Sequence, residues 1–236
     1  MGKVSALILS AGQGKRMGGR VSKQLLEIEG RPLLAYTLAK FHEHPLIEDI
    51  IVVTRAEEMS YCQEEIIEKY NFTKVKKVVL GGKERQDSVY QGLLALAPET
   101  KWVVVHDGVR PLVTSEVITR VLNTALAKGS AIAAVPAKDT IKMVSDEQMV
   151  LKTLPRQTLW HVQTPQVFKK EILVRAYEEA SASSLTATDD ASLVEHLGVP
   201  VFVVQGDYNN LKITTPEDLI IFREMLRTGD HKRELN

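Results

Sequence analysis

A glycine-rich run, Ser10-Ala11-Gly12-Gln13-Gly14-Lys15-Arg16-Met17, directly follows the first apolar stretch of the chain. At the carboxyl end of a strand such a turn lets backbone N–H groups approach phosphate oxygens without side-chain obstruction. It is not the dinucleotide fingerprint, because Met17 stands where the third glycine belongs. Nor is it a Walker A loop, since no Gly-Lys-Ser/Thr follows. The plainer alternative is a tight strand–helix turn with solvated lysines. Arg16 and Lys23 tip the reading toward a phosphate site, because residues 1–26 hold five cations and no acid. A second pair, Gly81-Gly82, precedes Ser88; the backbone there could pass close to a flat base whose edge Ser88 reads, or simply connect a strand to a charged helix start.

Three further clusters carry polar chemistry. His106-Asp107-Gly108-Val109-Arg110-Pro111 ends an apolar run, and a carboxylate at that edge of an open parallel sheet sits where α/β ligands bind. Asp107 could hold Mg²⁺, directly or through water, or form a local salt bridge with Arg110. His106 reads as a packed strand-end residue. Residues 155–166 are rich in hydrogen-bonding side chains, and Thr188-Asp189-Asp190 reads as a helix cap or a loop. Lys212, between Leu211 and Ile213, faces away from its apolar neighbours on an extended segment, toward solvent or a ligand.

Nothing announces a covalent nucleophile. No Gly-x-Ser-x-Gly elbow, Cys–His signature or zinc spacing occurs, and Cys62, the only cysteine, lies among glutamates that disfavour a thiolate.

The elements that must position these groups follow from periodicity. Apolar, β-branched runs at 4–9, 49–54, 75–80, 102–106, 131–135 and 201–205 alternate with helical patterns at 32–42, 57–70 and 115–128. A last helix opens at Thr215-Pro216-Glu217-Asp218, with a capping threonine and proline in the first turn. This is the pattern of parallel βαβ units, a mostly parallel sheet with helices on both faces. Two short runs at 140–144 and 149–154 flank a polar turn and predict a β-hairpin inserted into that domain. An isolated hairpin is marginal in water, so this arm is expected to pack on something, such as a second subunit. Residues 228–236 read as a frayed polar tail.

With 236 residues the chain fits one α/β domain, residues 1–236, large enough to need no disulfide. Thirty Lys and Arg balance thirty Asp and Glu, which argues against nucleic-acid or membrane-surface binding. No run of about 18 apolar residues and no signal-peptide core is present, so a cytoplasmic protein is expected.

Taken in order, these motifs resemble the 2-C-methyl-D-erythritol 4-phosphate cytidylyltransferases of non-mevalonate isoprenoid synthesis. The matching segments are Ala11-Gly12-x-Gly14-x-Arg16-Met17, Lys23-Gln24, Gly81-Gly82-x-x-Arg85-x-x-Ser88-Val89 and His106-Asp107-x-x-Arg110-Pro111. Others are Lys138-Asp139-Thr140, Leu159-Trp160-His161-x-x-Thr164-Pro165-Gln166, Thr188-Asp189-x-Ala191-Ser192 and Lys212-x-Thr214-x-Pro216-Glu217-Asp218-Leu219. The resemblance implies a Rossmann-like nucleotidyltransferase fold and transfer of a cytidylyl group from CTP to methylerythritol phosphate. It implies Mg²⁺, or another divalent cation, as cofactor. Carried across, Arg16, Lys23, Arg156 and Lys212 would be catalytic, and Ser10, Ala11, Gly12, Gly14, Lys15, Gly82 and Ser88 would bind CTP. Asp107, Arg110, Thr140 and Thr188 would meet the methylerythritol. The arm, about residues 138–156, would embrace a partner subunit in a homodimer, so that Thr140 and Arg156 serve the neighbour's site. Ser10 and Lys83 depart from the residues frequent in the family. The rival substrate is ribitol 5-phosphate; a non-catalytic nucleotide-binding subunit is the rival from another class.

Overall fold

The computed structural model describes residues 2–12 and 22–228. Gly14, Lys15 and Arg16 of the first loop, and residues 229–236 of the tail, lie outside the described residues.

Strands β1 (Lys3–Leu9), β4 (Asp49–Thr54), β5 (Val75–Leu80), β6 (Thr100–Asp107), β7 (Ser130–Pro136), β10 (Trp160–Lys169) and β11 (Phe202–Gln205) form one seven-stranded sheet. Its order is β11-β7-β10-β6-β1-β4-β5. Every pairing is parallel except those of β10, which runs antiparallel to both β6 and β7. Two minor strands, β2 (Glu27–Ile28) and β3 (Arg31–Pro32), pair with each other, as do β8 (Lys142–Val144) and β9 (Val150–Thr153) of the predicted arm.

Alternation along the central strands sorts the core into two layers. Val4, Ala6 and Ile8 of β1, with Ile50, Val52 and Val104, pack on one face under α1 (Leu33–Glu43) and α4 (Ser115–Lys128). Leu7, Leu9, Ile51, Val53, Val103 and Val105 pack on the other under α3 (Arg85–Leu94), α5 (Lys170–Ser183) and α6 (Asp190–His196). A third cluster, with Tyr36, Val109, Ile213 and Phe222 buried, seats α7 (Pro216–Thr228) against the start of α1. Local signals set the boundaries. Thr114 accepts from the Val117 N–H to open α4, and Gly129 closes it at φ 97°. Asp218 accepts from the N–H groups of Thr214 and Thr215 at the start of α7.

Two expectations need correction. The segment expected to be a helix over 57–70 winds instead as a 3₁₀ turn (Ala56–Glu58), a single α turn, α2 (Met59–Tyr61), and π turns (Cys62–Glu68). The polar run after the arm is β10, near the middle of the sheet. Its inward Gln166 is satisfied by donating to Asp189 (2.9 Å) and accepting from the Ala191 N–H (3.1 Å). Helices α3, α5 and α6 also lie between the expected elements.

Candidate active site

The carboxyl ends of β1, β5 and β6 meet on one edge of the sheet, and a cleft of about 450 Å³ opens there. Ser10, Ala11, Gly12, Lys23, Gly82, Ser88, Asp107 and Lys212 line it together, although they lie far apart in the sequence. That edge is where an open parallel sheet presents free backbone groups to a ligand.

The first turn is held from beneath. Gln24, buried on the 3₁₀ turn Lys23–Leu25, donates its Nε2 to the carbonyl of Ser10 at 2.6 Å and to Glu58 Oε2 at 3.2 Å. Glu58 is itself fixed by Thr54 and by Arg55. Lys23, next to Gln24, is thereby placed at the cleft. The second turn lies against the first. A Cβ on Gly81 would sit 2.5 Å from that of Ala11 and 2.9 Å from Ser88 Oγ, so only glycine allows this approach. The Gly82 N–H donates to Ser88 Oγ at 3.1 Å, and Ser88 donates on to the Glu84 carbonyl.

At the end of β6, Asp107 is the charged centre. Lys212 Nζ lies 2.8 Å from its Oδ2, Arg85 Nε 3.5 Å from its Oδ1, and Arg110 Nε 3.7 Å from its Oδ2. Burial alone would raise the carboxyl, but Lys212, Arg85 and Arg110 outweigh it and hold Asp107 well below the usual carboxylate range. Of the two alternatives for this residue, the pairing with Arg110 is present, and Asp107 also lines the cleft. Arg110, buried, donates to the Asn210 carbonyl at 2.7 Å, and burial pulls its guanidinium below its ordinary value.

Lys212, expected to face solvent or a ligand, lines the cleft. Ile213 points into the core, its N–H bonded to the Val109 carbonyl at 2.9 Å, and Lys212 turns into the cleft. His106 is a packed residue, as expected. Its ring lies 4.7 Å from that of Phe41, Nε2 faces the Arg110 carbonyl at 3.2 Å and Nδ1 the Thr164 hydroxyl at 3.0 Å. A carbonyl partner requires Nε2–H, so Thr164 donates to Nδ1 and accepts the Asp107 N–H at 3.1 Å. Burial depresses His106 to about 3. Cys62 is buried too, its thiol pushed up to about 12 by burial and Glu58, which is a structural role.

Other expected residues do not reach the cleft within this chain. Thr140, Arg156 and Thr188 are exposed, and Arg156 donates to the Lys138 carbonyl at the base of the arm. Lys3 is a correction to the idea that the early cations gather at the site. It pairs with Asp49 at 2.6 Å and Glu99 at 2.8 Å, at the start of β1, the end of the strand opposite the glycine turn. Sequence reasoning gave no role to Arg85, Gln24, Glu84 or Thr214, which line the cleft. Arg85 is held by Asp190, 105 residues away, and no local spacing signals that pair.

Glycine turns at the carboxyl ends of two parallel strands on either side of β4, with lysines at the mouth and one ion-paired carboxylate, define an α/β nucleotidyltransferase. The family model described as "IspD: 2-C-methyl-D-erythritol 4-phosphate cytidylyltransferase" matches residues 4–228. A Geotalea uraniireducens (strain Rf4) protein of that name is 48% identical over 233 residues, 98% of this chain and 100% of the relative. One from Alkaliphilus metalliredigens (strain QYMF) is 50% identical, over 95% of this chain and 93% of its own. Among solved structures, the 4-diphosphocytidyl-2C-methyl-D-erythritol synthase of Anaerococcus prevotii superposes with a TM-score of 0.86 at 33% identity, covering 96% of both chains. The 2-C-methyl-D-erythritol 4-phosphate cytidylyltransferase of Thermus thermophilus gives 0.80 at 32%, over 95% of this chain and 99% of that one. The chain belongs to the 2-C-methyl-D-erythritol 4-phosphate cytidylyltransferase family.

Proposed function

We propose that the cleft transfers the cytidylyl group of CTP to 2-C-methyl-D-erythritol 4-phosphate, releasing pyrophosphate, by direct attack of the substrate phosphate on the α-phosphorus. The carrying observation is that Lys23 and Lys212 share one cleft with the two glycine turns. The turns from Ser10 to Gly12 and at Gly82 and Ser88 hold CTP. Lys23 meets the α-phosphate, where charge builds, and Lys212 the attacking phosphate. Gly14, Lys15 and Arg16 belong to the same loop in this reading.

No general base is needed. A phosphate monoester has a second pKa near 6, so most of it is already a dianion at neutral pH. Asp107, held far down by its cations, is a poor proton acceptor. It serves instead to orient Lys212 and to accept a hydroxyl of the alcohol. The remaining barrier is repulsion between two anions and their alignment, which fixed cations lower.

Divalent metal fits this donor set in one form. Among the described residues no group of three or more His, Cys, Asp or Glu is placed to cage an ion. Mg²⁺ commonly uses one or two carboxylates with phosphate and water oxygens. Asp107, whose oxygens are paired with Arg85, Arg110 and Lys212, would be the protein's contribution through a water, and the ion would neutralise phosphate charge when bound. The arm completes the reading. Met143, Val144, Met149, Val150 and Leu151 stand exposed on it, so it pairs with a second copy and brings Thr140 and Arg156 to that copy's cleft. Thr188 and Arg110, assigned to the methylerythritol by the resemblance, do not line the cleft of this chain: Thr188 is exposed, and Arg110 is buried and paired with Asp107. No helix among the described residues is long and apolar enough to cross a membrane, and with one buried cysteine the protein suits the reducing cytoplasm.

The stereochemistry at phosphorus tests direct transfer. CTP chiral at the α-phosphorus by sulfur substitution is expected to give product of inverted configuration. Retention would mean a covalent nucleotidyl-enzyme and would overturn the mechanism.

A further inference from the structure

Behind the cleft, a chain of charges runs from the core to Lys212, and its inner half has no part in the reaction as described. Tyr177, on α5 and buried, donates its hydroxyl to Asp190 Oδ1. Asp190, the first residue of α6 and fully buried, accepts both arms of the Arg85 fork, Nη1 at 3.1 Å and Nη2 at 2.7 Å. Arg85 opens α3, shortly after the second glycine turn. Its remaining nitrogen, Nε, is aimed at Asp107, whose other oxygen holds Lys212.

The geometry points to Arg85 as a positioning residue for the transfer: clamped by Asp190 and Tyr177, it fixes the Asp107 carboxylate, which in turn sets the Lys212 ammonium where the attacking phosphate binds. The inference rests on the reading of Lys212 given above. Three features favour it over a plain clamp between α3 and α6. A clamp would need only the two fork bonds to Asp190, yet the third donor is directed at a cleft residue. Two carboxylates face three cations, Arg85, Arg110 and Lys212, so one positive charge is left over. That excess surfaces at Lys212, whose side chain is 40% exposed against 30% for Arg85 and 11% for Arg110. The network therefore delivers its surplus charge to the cleft, which both Lys212 and Arg85 line. A lysine at position 85 could not reproduce it, because a single ammonium lacks the planar fork that holds Asp190 while a third donor reaches Asp107.

Paired kinetics test this. Asp190→Asn is made in the unsubstituted chain and in a Lys212→Gln background, and pyrophosphate release is measured while CTP and methylerythritol phosphate are varied separately. In the unsubstituted chain kcat/KM for methylerythritol phosphate is expected to fall tenfold or more, with the KM for CTP within about twofold. In the Lys212→Gln background the same substitution should change kcat/KM by less than twofold, because the residue through which Arg85 acts is already gone. An equal fall in both backgrounds, or a matching rise in the KM for CTP, would overturn the inference. Should Asp190→Asn fail to fold, Tyr177→Phe keeps the carboxylate and removes only the hydroxyl. It should show the same pattern with a two- to fivefold fall, and no difference between backgrounds would count against the inference in the same way. The unsubstituted chain separates the two levels. Activity there without coupling to Lys212 sinks the positioning role alone, whereas no pyrophosphate from it would sink the reading of the cleft.

Discussion

Lys23 carries the sharpest expectation at the scale of the residue. One well-placed donor at a developing charge contributes on the order of 3–4 kcal/mol to a transition state. Lys23→Ala should lower turnover about a hundredfold or more and leave the far-ultraviolet circular dichroism unchanged; near-native turnover would remove Lys23 from the mechanism. Gly81 is a second case. Gly81→Ala drives a methyl into Ala11 and pushes the two glycine turns apart. It should raise the KM for CTP severalfold, and an unchanged KM would show that the turns do not share the nucleotide. His106 sets a pH dependence. Burial holds its folded-state pKa at about 3, while the unfolded chain takes up the proton near 6.5. Its stabilising share is thus complete above pH 6.5 and drains as pH falls toward 3, with a slope of up to about 1.4 kcal/mol per pH unit. Asp107 adds to this only within the acidic carboxylate range. Between pH 7.5 and 5, native protein should lose about 2 kcal/mol more stability in urea titrations than His106→Asn does. Equal losses would contradict the buried, neutral ring.

Among the elements, the segment between β11 and α7 does the positioning that matters most. Ile213 is fully buried beside Lys212 and anchors it through the Val109 carbonyl. Ile213→Ala should cost about 2–5 kcal/mol of stability and loosen Lys212, so activity should fall further than the unfolded fraction explains. A loss matched by unfolding alone would show that Lys212 is held otherwise. Most elements were legible from alternation and caps, because parallel strands buried on both faces write themselves as apolar runs. Strand β10 was not. Gln163 and Gln166 point inward and Pro165 breaks the pattern, features that argue against a central strand. The structure accommodates them with a break in the β7 pairing between Val162 and Gln166 and with side-chain partners from residues near 189 and 207. Those partners lie too far along the chain for any local window to reveal.

The whole molecule has equal numbers of acids and bases but an uneven placing of them. The glycine turns and Asp107 were readable because each sits at a strand end, and Lys23 and Lys212 because each is a lone cation in a recognisable motif. The Arg85–Asp190–Tyr177 chain was hidden, since its Arg85–Asp190 link spans 105 residues and looks locally like an ordinary helix start. The early cations proved a mixed signal, with Lys23 at the cleft and Lys3 paired at the other end of β1. The arm, exposed along both strands, is expected to hold a dimer. Removing residues 140–154 should yield a folded monomer in sedimentation and abolish turnover; a dimer that survives the deletion would place the interface elsewhere.

The reaction itself is the central claim, and pyrophosphate release from CTP with each alcohol phosphate tests it most directly. The site predicts a kcat/KM for 2-C-methyl-D-erythritol 4-phosphate at least a hundredfold above that for ribitol 5-phosphate. Preference for ribitol 5-phosphate, or CTP binding without pyrophosphate release from either, would contradict it.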